Sequence, residues 1–388
     1  MSAERSLRIA ILAHSTNPRG GVVHALELAD ALARLGHHAV VHAPDVSGEG
    51  FFRETICGTL RVPASPAARD TRQMVEIRVA DYLRYFATAR MADFDVWHAQ
   101  DGISANALAA LKCHGRIPGF APTVHHVDSF GDPRLAAMQR MAITSADELF
   151  VVSPFWQDWL AGELGRRATV VGNGVDLGRF ATPPDETDAE LRGQLALPED
   201  APVFLSVGGV EERKNSIRIL DAFAIARQSW PQARLVIAGG ASILDHGRYQ
   251  AAFTRALDAS GLPPGAVTVT GPLPQRLMPA LYRAATLMLF PSVKEGFGLV
   301  VLEAMASGLP VVTSRLRPFI DYLEDSDAVW CNPHDTSSIA SGIAAAMEPA
   351  RRVALAERGL IRAAAHSWST VATRHLEVYT RMLEPADA

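Results

Sequence analysis

Residues 290–312 read FPSVKEGFGLVVLEAMASGLPVV, and this stretch decides the architecture. An apolar strand ends at Phe290. A loop carrying Gly296 and Gly298 follows, then a short helix, a Gly308-Leu309-Pro310 stop and a new strand at Val311-Val312. Glycine at 296 and 298 permits backbone angles and a close ligand approach that other residues deny. The amides after Gly298 point out of a helix N-terminus, where an anion is favoured. Strand, glycine loop, helix and strand together form the repeating unit of an open parallel sheet.

Moving outward, the same unit opens at two further places. Pro202–Val207 is an apolar strand followed by Gly208-Gly209 and a polar turn through Asn215. A helix is expected from Ile217 to Gln228, and Leu235–Ala238 forms the next strand before Gly239-Gly240. Near the start of the chain, Leu7–Ala13 is a buried-strand pattern and His14–Gly21 a polar turn. Val22, Val23, Leu26, Ala29, Leu32 and Leu35 then fall at helical spacing; Gly36 ends that helix, and Ala39-Val40-Val41 begins a strand. The pattern predicts two doubly wound parallel sheets, each presenting the carboxyl ends of its strands to a crevice. Between them Ala181–Ala201, with Pro183 and Pro184, reads as an exposed linker, with a short helix at Glu190–Leu197. The expected division is 1–180, 181–365 and a closing segment 366–388.

Composition narrows the class. The chain has 388 residues, 48% hydrophobic and 20% charged, which fits two or three folded domains and excludes disorder as the main state. Lys and Arg total 37 against 42 Asp and Glu, a net charge of -5 with no general footprint for nucleic acid or anionic membrane. Cys57, Cys113 and Cys331 are far apart, so neither a disulfide framework nor a CxxC metal pair is expected. No apolar run approaches the roughly 20 residues of a membrane span. The stretch Ile9–Ala13 is too short for a secretion signal. A cytoplasmic protein is expected.

Two acidic residues stand out chemically. Glu303 lies among Val300, Val301, Leu302, Ala304, Met305 and Ala306, so its helix should be largely buried. A buried, unpaired carboxylate costs several kcal/mol, and Glu303 therefore needs a specific partner. Two partners suit it: the vicinal diol of a ribose, or a core arginine. Glu295, on the glycine loop, is either a ligand-binding group beside the anion position or a solvated loop charge.

The segment Glu295-x7-Glu303 within EGFGLVVLEAMASGLPVV closely resembles the signature of family 4 retaining glycosyltransferases of the GT-B fold. Four further segments resemble elements of that family in order: DVWHAQD (Asp95–Asp101), PTVHH (Pro122–His126), NGVD (Asn173–Asp176) and HSWSTVATRHLEVY (His366–Tyr379). The resemblance covers nearly the whole chain. It implies an α/β protein with two Rossmann-like, doubly wound parallel-sheet domains facing a cleft. An N-terminal domain would bind the acceptor, a C-terminal domain would bind a nucleotide-diphosphate sugar, and the C-terminal helix would cross back to the N-terminal domain.

The same resemblance implies residue roles. Glu303 would bind the donor ribose, and Glu295 the hydroxyls of the donor sugar. Gly296, Phe297, Gly298, Leu299 and Val300 would present backbone to the diphosphate or sugar. Lys214, in GGVEERKN, would grip the diphosphate, with Gly208 and Gly209 beside it. The family commonly has an arginine where this chain has Gly209. Arg213 either substitutes for it or points to solvent. Gly21 would pass close to the donor, and Gly20 would lie on the acceptor side. Arg19 is either a surface arginine or a contact for an anionic acceptor. His125 would stand near the reacting sugar, while His126 faces the other way if this is strand. His98 and Asn173 would line the cleft, with Gln100 replacing the usual second histidine. His37, His38, His42, His114 and His246 are read as ordinary histidines, and no zinc spacing of the HExxH kind is present. Asp93-Phe94-Asp95 is a DxD triplet, but it precedes a strand, whereas a metal-binding DxD would follow one.

The implied reaction is transfer of a sugar to an acceptor hydroxyl with retention of configuration, through an oxocarbenium-like transition state. Lys214 and the helix N-terminus would stabilise the departing diphosphate, with no metal and no cofactor required. Small-molecule, lipid and polysaccharide acceptors all fit, and a lipid acceptor would bring a peripheral membrane contact. Two alternatives share the architecture: a phosphorylase-like enzyme with a lysine-bound pyridoxal phosphate, and a non-catalytic nucleotide-sugar-binding protein. A nicotinamide oxidoreductase needs G-x-G-x-x-G after its first strand, and His14–Gly21 lacks it.

Overall fold

The computed structural model describes residues 5–66, 70–88, 93–240 and 247–384; His246 lies outside them. The chain forms two compact units. One holds the residues up to Asn173 together with those from Trp368 onward, and the other holds Gly174–Ser367. The chain thus leaves the first unit at Asn173, ahead of the expected 180/181 boundary, and returns at Trp368.

Seven strands of the first unit are described: β1 (Arg8–Leu12), β2 (His38–Asp45), β3 (Gly58–Pro63), β4 (Val96–Ala99), β5 (Ala121–Val124), β6 (Phe150–Val151) and β7 (Thr169–Val170). They pair in parallel in the order β3-β2-β1-β4-β5-β6-β7. Ile9, Ala10, Ile11 and Leu12 are fully buried, as expected for a parallel sheet covered on both faces. The helix Gly20–Arg34 packs against the C-terminal helix Trp368–Leu383, which buries Trp368, Val371, Ala372, His375, Val378 and Tyr379. Asp95, from the DxD triplet, is a fold anchor. Its carboxylate accepts from Arg5 Nη2 at 2.6 Å and from the Arg8 amide at 2.9 Å, tying β4 to the start of β1.

The second unit contributes β8 (Val203–Val207), β9 (Arg234–Ala238), β10 (Val267–Gly271), β11 (Leu287–Phe290), β12 (Val311–Ser314) and β13 (Val329–Cys331). Their order is β10-β9-β8-β11-β12-β13, again all parallel. Phe204, Ile219, Leu220, Phe223, Leu235, Leu287, Leu289, Ile339 and Ile343 form its core. In both sheets the strand order reverses once, between β1 and β4 and between β8 and β11.

Ala181–Ala201 is exposed over much of its length, as expected, but it docks on the second unit instead of running free, and its helix starts earlier than Glu190. It contains the helix Glu186–Gln194, capped by Asp185, with Leu191 fully buried. Arg283 Nη2 donates to Asp188 Oδ2 at 2.6 Å, and Arg276 pairs with Glu190. Those arginines lie some ninety residues away in sequence, so local composition carried no sign of the docking.

Cys57, Cys113 and Cys331 are free. Burial pushes the thiols of Cys57 and Cys331 up to about 12, so both stay protonated. No helix among the described residues is long and apolar enough to cross a membrane.

Candidate active site

In an open α/β sheet, ligands bind beyond the carboxyl ends of the strands where strand order reverses. In the second unit that point lies between the loops after β8 and β11. Gly208 and Gly209 have φ of +128° and +75°. Their amides both donate to Ala238 O, at 2.7 and 2.9 Å, which folds this loop onto the end of β9. A Cβ at Gly209 would sit 2.8 Å from Gly239 O, and one at Gly208 would sit 2.6 Å from Lys214 Cε. No side chain fits at either position, so an arginine cannot be accommodated at 209 without moving the loop.

The chain then makes a tight turn at Glu212–Lys214, and Asn215 adopts φ +64°. Asn215 Nδ2 donates to Pro291 O at 3.0 Å and Pro333 O at 2.6 Å, while the Val293 amide donates to Arg213 O at 2.9 Å. The two loops are therefore stitched together by backbone acceptors. This brings three of the expected donor-binding side chains into contact. Lys214 Nζ donates to Glu295 Oε1 at 2.6 Å and lies 4.3 Å from the centroid of the Phe290 ring. Arg213 Nη1 donates to the same oxygen at 3.0 Å, and its Nε meets Glu211 Oε2 at 2.9 Å. Of the two readings of Arg213, the structure shows a half-exposed side chain bound to this cluster.

Burial lowers Lys214 to about 8, with Glu295 opposing the shift. Burial also works to raise Glu295, but Lys214 and Arg213 more than offset it, so Glu295 is held below the usual carboxylate range. The cluster holds an ionised carboxylate and a cation whose charged form burial has made less favourable.

Gly298 starts the helix Leu299–Ala306 with φ +93°, and a Cβ there would meet Phe319 Cε1 at 2.8 Å. Phe297 is buried and stacked on Tyr322 at 4.4 Å; Gly296, Leu299 and Val300 are half-buried. Glu303, on the same helix, is partnered by neither a core arginine nor the lysine cluster. Tyr282 Oη donates to Glu303 Oε2 at 2.6 Å. Burial raises Glu303 above the usual carboxylate range, with Tyr282 and Arg179 pulling it back.

In the first unit the reversal point holds His125 and the glycine turn. Gly20 and Gly21 open the helix Gly20–Arg34. A Cβ at Gly21 would lie 3.4 Å from Gln100 O and 3.5 Å from the His125 ring; at Gly20 the space is open. Gly21 thus packs directly on His125. His125 Nε2 lies 2.9 Å from Gln100 Oε1 and His126 is exposed; both follow the end of β5 at Val124, so strand alternation does not set their facing.

Two residues expected to line a cleft are interior groups. His98 is fully buried, with Nδ1 against the Tyr379 hydroxyl and Nε2 2.8 Å from Thr123 Oγ1. Its position at the end of β4 is as expected, but its side chain turns into the layer under Trp368–Leu383. Asn173 is also buried, its Oδ1 accepting from His24 Nδ1–H at 2.6 Å. His24 and His375, unremarked in the sequence, complete a cluster of buried imidazoles: His24 to His125 is 4.9 Å between centroids, His98 to His375 5.3 Å. Burial lowers His24 to about 4 and His375 to about 3, and puts His98 and His125 well below the ordinary histidine value. Among the described residues no group of three or more His, Cys, Asp or Glu has the arrangement to hold a metal ion.

Comparison with known proteins fits this geometry. The profile of Glycosyl transferases group 1 matches residues 187–360, and that of Glycosyltransferase Family 4 matches residues 18–179. The D-inositol 3-phosphate glycosyltransferase of Xylanimonas cellulosilytica is 30% identical, with 98% of each chain covered. The corresponding protein of Kineococcus radiotolerans is 32% identical over 97% of this chain and 96% of its own. The chain belongs to the group 1 glycosyltransferases. Among solved structures, sucrose-phosphate synthase from Thermosynechococcus elongatus superposes with a TM-score of 0.81 at 23% identity, covering 97% of this chain and 99% of that one. Anabaena HepE, solved with UDP and glucose, gives 0.77 at 20% identity, covering 96% and 99%. The fold of this glycosyltransferase is GT-B.

Proposed function

We propose that this glycosyltransferase takes a sugar from a nucleotide-diphosphate sugar and transfers it to an acceptor hydroxyl with retention, without a metal ion. The observation that carries the reading is the Lys214–Glu295–Arg213 cluster at the reversal point of the second sheet. A departing diphosphate gains negative charge, and a positioned ammonium stabilises that charge best in a water-poor site. Lys214 is buried there on a glycine turn. A donor phosphate would compete with Glu295 for it and free Glu295 to accept from sugar hydroxyls. Glu303, held by the Tyr282 hydroxyl through one carboxylate oxygen, suits a ribose diol. HepE has been solved with UDP-glucose, which supports a nucleotide sugar as donor.

In this reading a donor phosphate oxygen takes the acceptor proton on the face the nucleotide leaves, which is why configuration is kept. His125, at the reversal point of the first sheet, is that unit's candidate for a hydrogen bond to a sugar hydroxyl.

The test is a pair of variants. Glu303→Ala should weaken nucleotide binding by calorimetry more than tenfold with the fold intact. Lys214→Ala should cut turnover by about 100-fold or more, the scale of losing one charge-stabilising group. Wild-type turnover in Lys214→Ala, or unchanged nucleotide affinity in Glu303→Ala, removes that residue from the site. Retention is read from the anomeric coupling of the product by NMR, and metal independence from turnover in excess chelator.

A further inference from the structure

We propose that Gln100 is a positioning residue that forces His98 and His125 into opposite tautomers and so fixes the character of the one His125 nitrogen left for a ligand. The inference deepens the transferase reading of the site.

The two ends of an amide differ in what they can do. Gln100 is buried between the two rings, with its Oε1 2.9 Å from His125 Nε2 and its Nε2 3.2 Å from His98 Nε2. A carbonyl oxygen only accepts, and an amide nitrogen only donates. The imidazole facing the oxygen must therefore present N–H, and the imidazole facing the nitrogen must present a lone pair. With the amide oriented as in the structure, His125 carries its proton on Nε2 and offers Nδ1 as an acceptor. His98 carries its proton on Nδ1 and donates to the Tyr379 hydroxyl, while its one Nε2 lone pair is shared between the Thr123 hydroxyl at 2.8 Å and the Gln100 amide at 3.2 Å. Turning the amide over reverses both rings together. In neither polarity can both Nε2 atoms bear protons, or both lack them.

The surroundings hold this pair in place. Gly21 packs on the His125 ring, and His24 meets its face edge-on at 4.9 Å. His98 is fully buried and anchored through Tyr379 to the C-terminal helix. A histidine at position 100 could present either a donor or an acceptor, and could also take a charge. The amide has one donor end and one acceptor end and does not titrate. A hydroxyl docking on His125 thus meets a nitrogen of one fixed kind.

The experiment is two-bond 1H–15N correlation NMR of the full-length protein labelled at histidine, which assigns each ring's tautomer. The expected result is one of His98 and His125 protonated on Nε2 and the other on Nδ1, with His125 as the Nε2–H form. The reverse assignment still supports the coupling, because both rings have turned together. Two Nε2–H rings, or two Nδ1–H rings, overturn it. In Gln100→Met the link is severed, so His125 nitrogen shifts should move toward a tautomer average; unchanged shifts overturn the proposal. The same variant should lower kcat about tenfold, the worth of one orienting hydrogen bond, with donor KM within about twofold. The NMR readout needs no substrate. Opposite tautomers in a protein without transferase activity would refute the functional reading alone, and alike tautomers in an active enzyme would refute this inference alone.

Discussion

The two sheets reverse strand order in the same way, yet their reversal points are built from opposite materials. In the first unit, His24, His98, His125 and Gln100 meet there as buried neutral groups linked by hydrogen bonds and ring contacts. In the second, Lys214, Arg213, Glu295 and Glu211 meet as charges. Burial selects the neutral form of an imidazole because nothing opposite in charge stands beside it. It fails to neutralise Glu295 because two cations do. The first reversal point is a largely interior network of neutral donors and acceptors, and the second an ion cluster whose anion is a side chain. One topology thus supports two electrostatic environments, and the choice lies in the side chains at the strand ends.

The comparison breaks most readily with acid. His24 at about 4 and His375 at about 3 lie below the 6.5 of an unfolded histidine. The unfolded chain therefore binds protons first as pH falls. Stability from these groups is fully present above pH 6.5 and declines through the window down to about 4 and then 3, by about 3 kcal/mol for His24 alone. Hydrogen exchange on the full chain should show β1 and β4 amides losing protection between pH 7 and 5 while β8 and β11 keep theirs. Equal loss in both sheets would erase the distinction. His24→Leu should flatten the first unit's dependence.

A middle-sized effect sharpens it from the other side. Glu295→Gln leaves Lys214 buried without its anion, which costs about 3 kcal/mol near pH 7. Lys214 then falls further below its present value of about 8. Because the variant's Lys214 gives up its proton at lower pH than the wild-type's, the penalty should shrink as pH rises toward about 8 and be nearly gone by about pH 9. Denaturant titrations of wild type and variant at pH 7 and 9 measure this. A pH-independent deficit would mean that Lys214 is not the group left stranded.

Legibility followed the same divide. The second unit's site lies on two continuous segments, GGVEERKN and EGFGLVVLE, and glycines at fixed offsets from strand ends mark them. Gly208, Gly209 and Gly298 carry positive φ there, and a Cβ at each would strike Lys214, Gly239 O or Phe319. The first unit's network joins His24, His98, His125, Asn173 and Tyr379, drawn from five separate places in the chain. Motif reading found His98 and Asn173 but not their burial: His98 turns beneath a helix whose Tyr379 lies 281 residues later, and Asn173 pairs with His24, 149 residues earlier. The Ala181–Ala201 segment misled for a related reason. Its acidic residues looked solvated because Arg276 and Arg283 are distant in sequence.

The smallest effect concerns Glu303, which shares features of both sites: a carboxylate whose hydrogen-bond partner is a neutral hydroxyl. Nothing in the sequence near residue 303 points to Tyr282. Its hydroxyl donates to Glu303 Oε2 and so favours the ionised form against burial. Tyr282→Phe removes that donor without leaving a cavity, at a cost of about 1 kcal/mol in stability. It should also raise Glu303 further. If the ribose is held by the carboxylate, nucleotide affinity falls as Glu303 takes up its proton, and in the variant that fall begins at higher pH. Calorimetric titrations from pH 5 to 8 on both proteins read the shift. A nucleotide-binding midpoint unmoved by Tyr282→Phe would show that the carboxylate's proton is set elsewhere, and would leave Glu303 on the charged side of the comparison rather than between the two.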